Sequence, residues 1–167
     1  MTDWASKFQG TLSRINKTSA VIGCIPFNII MFITLYEVIA RYILNAPTIW
    51  TLEISQYMML IAIFLAPAYT LEVGGHIKVD FVVELLSPTR KRMAIILSSF
   101  LSLIFFAILA WKSIELAWTT YNFGMRSMTI LAIPLFPVYV FLPIGCVLLL
   151  LQGIVQFIQL IEKRQGE

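Results

Sequence analysis

Charge is scarce in this chain. Its 167 residues hold twelve Lys or Arg and nine Asp or Glu, with one histidine and two cysteines. Each shortage excludes something. One histidine, His76, rules out a haem held by two histidines of one chain. A metal site built from His76 and Asp80 at i+4 lacks further obvious ligands, so capping or loop fixing is the plainer role for both. Cys24 and Cys146 both fall in apolar runs, where small buried thiols are ordinary packing residues and a disulfide is not expected. No G-x-x-x-x-G-K-[ST] run is present, so this chain does not hydrolyse ATP itself. G-x-G-x-x-G, H-E-x-x-H and G-x-S-x-G are absent too, which argues against an enzyme and leaves no cofactor to expect. No A-x-A cleavage site follows the first apolar run, so that run is expected to be retained rather than removed as a signal.

What is abundant is apolar length. Hydrophobic residues make up 59% of the chain, and the mean hydropathy is +0.87. Uncharged runs cover Thr18–Tyr36, Ile54–Leu71, Met93–Trp111 and Ser127–Ile161. A bilayer core about 30 Å thick needs about 20 apolar residues at about 1.5 Å each. Four runs at or near that length predict an all-α integral membrane protein with four transmembrane helices. The last run is too long for one straight span, because 35 residues make about 52 Å of helix. Pro134 and Pro137 are expected to mark its irregular start. Pro26, Pro67 and Pro143 lie inside spans and are candidates to kink them. The predicted spans are residues 19–44, 49–72, 91–117 and 134–161, forming one membrane domain over residues 1–167.

A net charge of +3 and a pI near 9.0 need no nucleic acid to explain them. Lys and Arg collect on the cytoplasmic flanks of spans. Lys7, Arg14, Lys17, Lys78, Arg90, Lys91, Arg92, Lys163 and Arg164 fall on one side, and only Arg41, Lys112 and Arg126 on the other. Both termini are therefore expected in the cytoplasm.

The links add detail. Asn45-Ala46-Pro47-Thr48 is short and turn-rich, so spans one and two should be antiparallel neighbours, with Thr48 able to cap the second helix and Trp50 at the interface. After Gly74-Gly75, residues 76–81 alternate like a strand. A lone strand would leave its backbone unpaired, so a short amphipathic helix over about 77–87 on the cytoplasmic surface is preferred, with Asp80 and Glu84 on its polar face. Ser87-Pro88 signals the start of the third helix.

Few charges remain as candidates for function. Glu37 and Arg41 are four apart with the acid first, the order that favours an intrahelical pair. Two readings stand for Glu37: a structural or interface pair, or an ion-coupling carboxylate as in small multidrug exporters acting as homodimers. Its place about 27 Å beyond Ser19 puts it near the outer interface and favours the first. Glu53 lies at a similar level on the next helix, so Arg41 can pair with either acid, and a Glu37–Arg41–Glu53 cluster is one arrangement. Arg126 lies in the third loop, either meeting an acidic partner or simply solvated.

In order and spacing, these landmarks resemble the small membrane subunit of tripartite ATP-independent periplasmic (TRAP) transporters, the DctQ type. The resemblance runs through Glu37-Val38-Ile39-Ala40-Arg41-Tyr42, Trp50-Thr51-Leu52-Glu53 and Gly75-His76-Ile77-Lys78-Val79-Asp80. It continues through Gly124-Met125-Arg126-Ser127, Ile133-Pro134, Tyr139 and Pro143-Ile144-Gly145. It implies a three-part, sodium-coupled importer of organic anions in a bacterial inner membrane. A periplasmic binding protein captures substrate, a large membrane subunit carries it, and the small subunit braces the large one among membrane lipids. Substrate and sodium sites belong to the large subunit, so no transport site is carried over here. Glu37, Arg41, Trp50, Glu53, His76, Asp80 and Arg126 are kept as structural or partner-interface candidates.

Overall fold

The computed structural model describes residues 3–74 and 88–162. Six helices account for most of them: α1 (Asp3–Tyr42), α2 (Trp50–Leu65), α3 (Pro67–Glu72), α4 (Pro88–Asn122), α5 (Phe136–Tyr139) and α6 (Phe141–Glu162). Among the described residues, four stretches are long and apolar enough to cross a membrane: Gln9–Tyr42, Trp50–Glu72, Met93–Asn122 and Phe136–Ile161. The chain is thus an all-α protein of four membrane-length helices. The expected surface segment 77–87, with His76 and Asp80, lies outside the described residues.

The first helix starts at Asp3, well before Ser19. The polar N-terminal stretch joins it because the contact stripe of the span continues downward through Asn16 to Leu12. Along α1 one stripe of buried and partly buried positions runs through Leu12, Asn16, Ser19, Gly23, Pro26, Ile30, Ile33, Glu37 and Ala40. Their steps of four and three residues give the 3.5-residue repeat of a coiled-coil seam. The far end of the chain's layer repeats the device. On α4, Ile96, Ser99, Leu103, Phe106, Ala110, Ser113, Ala117 and Thr120 form one such seam.

These two single-seam helices are the ends of a row. α1 packs on α2 and α3 and touches α6 more lightly, α2 and α3 pack on α6, and α6 packs on α4, whereas among the described residues α1 and α4 do not meet. The spans alternate in direction, so the start of α1 and the end of α6 share one end of the row. The loops 43–49 and 123–135 share the other. This is an open layer, not a closed bundle.

Proline and glycine set how closely the row packs. The second span breaks at Ala66, between α2 and α3. Pro67 has no N–H for the Ile63 carbonyl, and its ring pushes that turn open. Beside the break, Ser19 Oγ of α1 donates to the Leu65 carbonyl at 3.0 Å, a buried bond between helices where no water can reach. Gly145 of α6 lies so close to Phe64 that an added Cβ would stand 2.5 Å from its carbonyl carbon. Gly23 brings α1 near Ala62 and Leu65. Small residues at helix contacts let backbones approach in lipid. Of the other prolines, Pro26 sits within an unbroken α1. Pro143 is in the first turn of α6, where its missing N–H costs nothing. The last run breaks at Val140 between α5 and α6, with Pro137 at the start of α5.

Candidate functional site

Polar side chains gather at both ends of the row. At the loop end, Glu37 is the hub. Arg41 Nη2 and Nε donate to its Oε1 at 2.6 and 3.1 Å. Its Oε2 accepts the Thr48 backbone N–H at 3.3 Å, the Thr51 hydroxyl at 3.1 Å and the Thr48 hydroxyl as well. Glu37 thereby binds the start of the second span from the end of the first. Contrary to the sequence expectation, Thr48 does not cap α2: the N-cap is Ile49, with no side-chain cap hydrogen bond, because the Thr48 hydroxyl is engaged by Glu37 and lies 2.9 Å from that of Thr51. The turn is tight enough to require left-handed backbone at Asn45, φ 51°, a conformation asparagine tolerates better than most residues.

Glu53 has other partners. It is 5% exposed and accepts Tyr57 Oη at 2.8 Å and the Thr129 hydroxyl. Arg41 pairs with Glu37, so the two acids do not share it. Glu53 instead fastens the loop between α4 and α5. That loop doubles back on itself, with Ser127 N donating to Ile133 O at 2.9 Å and Leu135 N to Met125 O at 3.0 Å. Its tip carries Ser127 and Thr129, whose hydroxyls lie 2.6 Å apart. Arg126 stands exposed beside this clasp, its backbone bridged to Pro134. Trp50 stacks on Tyr36, ring centroids 5.8 Å apart, and stays 37% exposed.

The opposite end holds a polar knot that the sequence reading did not single out. Asn16, fully buried, donates from Nδ2 to Gln152 Oε1 at 2.8 Å and to Glu72 Oε2 at 3.1 Å. Gln156 Nε2 donates to the Leu71 carbonyl. One carboxamide thus joins α1, α3 and α6. The legible signal was Gln152 and Gln156, two carboxamides one turn apart in an otherwise apolar run, which inside a span must face protein.

Both knots consist of carboxylates, amides and hydroxyls bonded between helices, with Asn16 Oδ1 the one buried side-chain N or O atom among the described residues that has no partner. Among the described residues there is no group of three or more His, Cys, Asp or Glu that could hold a metal. The arrangement joins helices, and no nucleophile is paired with a base in it.

A family comparison decides what such a row belongs to. The model of the DctQ component of the tripartite ATP-independent periplasmic transporters matches residues 30–163. The chain belongs to this DctQ family. It is also similar to the ectoine TRAP transporter small permease protein TeaB of Halomonas elongata, 28% identical over 138 residues, covering 81% of this chain and 70% of that protein. The matched span takes in the Glu37 hub, the Glu53 clasp, and Glu72, Gln152 and Gln156. Asn16 lies before it. The chain is therefore a small permease subunit of a TRAP transporter, a multi-pass membrane protein and a transport component rather than a member of an enzyme family.

Proposed function

We propose that this DctQ-type chain is the stator subunit of a sodium-coupled importer of organic anions, bracing a large membrane subunit that carries substrate delivered by a periplasmic binding protein. The observation that supports this best is the distribution of polar groups. Among the described residues, five of the seven buried polar side chains, Asn16, Ser19, Thr51, Glu53 and Gln152, bond to other elements of this chain, which suits a brace, while Ser113 and Thr120 bond back to their own helix. A flat row with two single-seam ends also widens whatever it packs against. The excess of Lys and Arg on one side favours cytoplasmic termini in a bacterial inner membrane. That orientation puts the Glu37 hub, Trp50, the Thr129 clasp and Arg126 on the periplasmic side, where a binding protein docks. An apolar groove of about 400 Å³ between α1 and α6, with Ile15, Ile22, Leu65 and Ile144 along it and Arg14 at its rim, suits a phospholipid tail and headgroup.

The self-sufficient homodimeric exporter is not favoured. Its key carboxylate would be Glu37, which sits at the end of a helix with five hydrogen bonds. The test is co-expression with the neighbouring transporter genes, followed by purification in mild detergent and reconstitution. Recovery of one large membrane protein at one to one, with uptake requiring both chains and the binding protein, supports the stator. A homodimer that transports alone, and stops when Glu37→Gln is introduced, overturns it.

A further inference from the structure

α1 carries an unfinished polar group at mid-membrane depth. Asn28 is exposed, and one amide hydrogen goes back to the Cys24 carbonyl at 3.0 Å. Its other amide hydrogen and Oδ1 have no partner among the described residues. Asn28 is twelve residues from Asn16 at the buried knot and twelve from Ala40 beside the Glu37 hub, which is about 18 Å of helix either way. It therefore stands near the midplane, where neither water nor a lipid tail can complete a carboxamide. Helical geometry turns it about 160° from the seam residues Pro26 and Ile30, directly away from its own subunit. No rearrangement within the row reaches it.

On the other spans the exposed polar groups are self-sufficient or near an end. On the outer face of α4, Ser98 donates to the Ile95 carbonyl at 3.2 Å and Ser102 to the Ser98 carbonyl at 2.8 Å, which leaves a surface suited to lipid. The exposed Gln56 is only six residues into α2, about 9 Å from its start, and its flexible stem can reach the interface.

We propose that the α1 face centred on Asn28 is the docking surface for the large membrane subunit, whose apposed helix presents a hydrogen-bonding side chain or a bare backbone carbonyl at the membrane midplane. This rests on the stator reading above and adds to it which end of the row is covered. Cys24, small and one turn away, lets that helix come close. Val21 and Leu35 share the face, 60% and 55% exposed, and flank Asn28 on either side. The α4 end of the row then meets lipid.

The test uses the co-expressed complex with a photo-crosslinking residue at position 21 or 35, and at Phe105 or Ile108 on the outer face of α4 as comparison. Adducts to the large subunit are expected from 21 and 35 and not from 105 or 108. In parallel, Asn28→Leu should weaken recovery of the large subunit by about 3- to 20-fold, with Asn28→Gln restoring part of it and this chain's own expression unchanged. If the wild-type chain recovers the large subunit but only 105 or 108 crosslinks to it, the docking inference alone is overturned. The same follows if 21 and 35 yield only dimers of this chain or lipid adducts, or if Asn28→Leu changes nothing. If the wild-type chain recovers no large subunit at all, the stator reading falls and the inference falls with it.

Discussion

Gly145→Ala should be the most damaging single methyl group that can be added to this protein. The added Cβ would lie 2.5 Å from the Phe64 carbonyl carbon and 3.2 Å from its Cα. Ordinary carbon–carbon contact needs about 3.5 Å or more, and the Phe64 carbonyl oxygen is nearer still, so α2 and α6 must separate by more than about 1 Å. The obstacle is backbone, and it lies just before the break at Ala66, so no rotamer change relieves it. Overpacking of this kind costs about 1–3 kcal/mol, and a backbone clash belongs at the upper end. For a chain of this size that corresponds to a fall in melting temperature of about 6–12 °C, scaled from soluble domains. Gly23→Ala is the internal comparison. Its nearest neighbours are Leu65 Cβ at 3.2 Å and Ala62 O at 3.6 Å, so a shift of a few tenths of an ångström suffices and the loss should stay below about 1 kcal/mol. Gly10→Ala meets nothing within 4 Å and should be neutral or gain up to about 1 kcal/mol from helix propensity. Melting each purified variant by loss of the monodisperse gel-filtration peak gives the order directly. A Gly145→Ala protein melting within 2 °C of wild type, or below Gly23→Ala in damage, would refute the close approach of α2 and α6.

Other perturbations probe the polar knots. Asn16→Leu leaves Gln152 Oε1 without its donor and should cost about 0.6–1.7 kcal/mol, the measured range for hydrogen bonds between membrane helices. Pairing it with Gln152→Leu should recover part of that loss in a double-mutant cycle by thermal melting. Ser19→Ala frees the Leu65 carbonyl beside the Pro67 break and should cost about 1 kcal/mol, read by the same assay. Thr129→Val removes the hydroxyl that Glu53 accepts, so the loop at residues 123–135 should become faster to cleave by protease while the melting temperature moves little. Glu37→Gln should loosen the turn at Thr48 and Thr51 yet leave sodium-driven uptake by the assembled transporter measurable in proteoliposomes.

The four helices were legible because apolar length is counted directly in sequence, and the helix start at Pro88 followed from local chemistry, whereas Thr48, read as the cap of the second helix, is drawn instead to Glu37. Glu37 and Arg41 were legible as a pair because i,i+4 geometry is local. The partners of Glu53 were not. Thr129 is 76 residues away and reaches it only because the loop doubles back, and nothing local announces that fold. Glu53 was therefore grouped with its neighbour in level, Arg41, when its side chain points to the other side of α2. The Asn16 knot was missed for a related reason. Asn16 falls in a polar stretch that reads as a tail, and only the 4-3 continuation of the α1 seam down to Leu12 reveals it as buried. Gln152 and Gln156 did carry a signal, since carboxamides inside a long apolar run need partners.

The physical design accounts for how a row of helices can stay flat in a bilayer. Lipid tails are as apolar as Leu, so burial gives little reason for the row to close into a bundle. What holds adjacent helices is close backbone approach at Gly23 and Gly145, together with hydrogen bonds pinning each end: Glu37 with Thr48 and Thr51, Glu53 with Thr129, and Asn16 with Gln152 and Glu72. Pins at both ends resist shear between neighbours, which is what the proposed stator role asks of this chain. The same argument predicts where the device is weakest. Among the described residues α4 meets only α6 and the short α5, and its contact with α6 passes Gly153, where Phe106 and Leu103 fill the space a Cβ would take at 3.1 and 3.2 Å. Those are flexible side-chain ends, so Gly153→Ala should cost less than Gly145→Ala. Larger residues at position 153 should release α4 before any other span, seen as accelerated hydrogen exchange of α4 amides with α1 and α2 unchanged. Uniform acceleration across all four spans would show instead that the row unfolds as one unit.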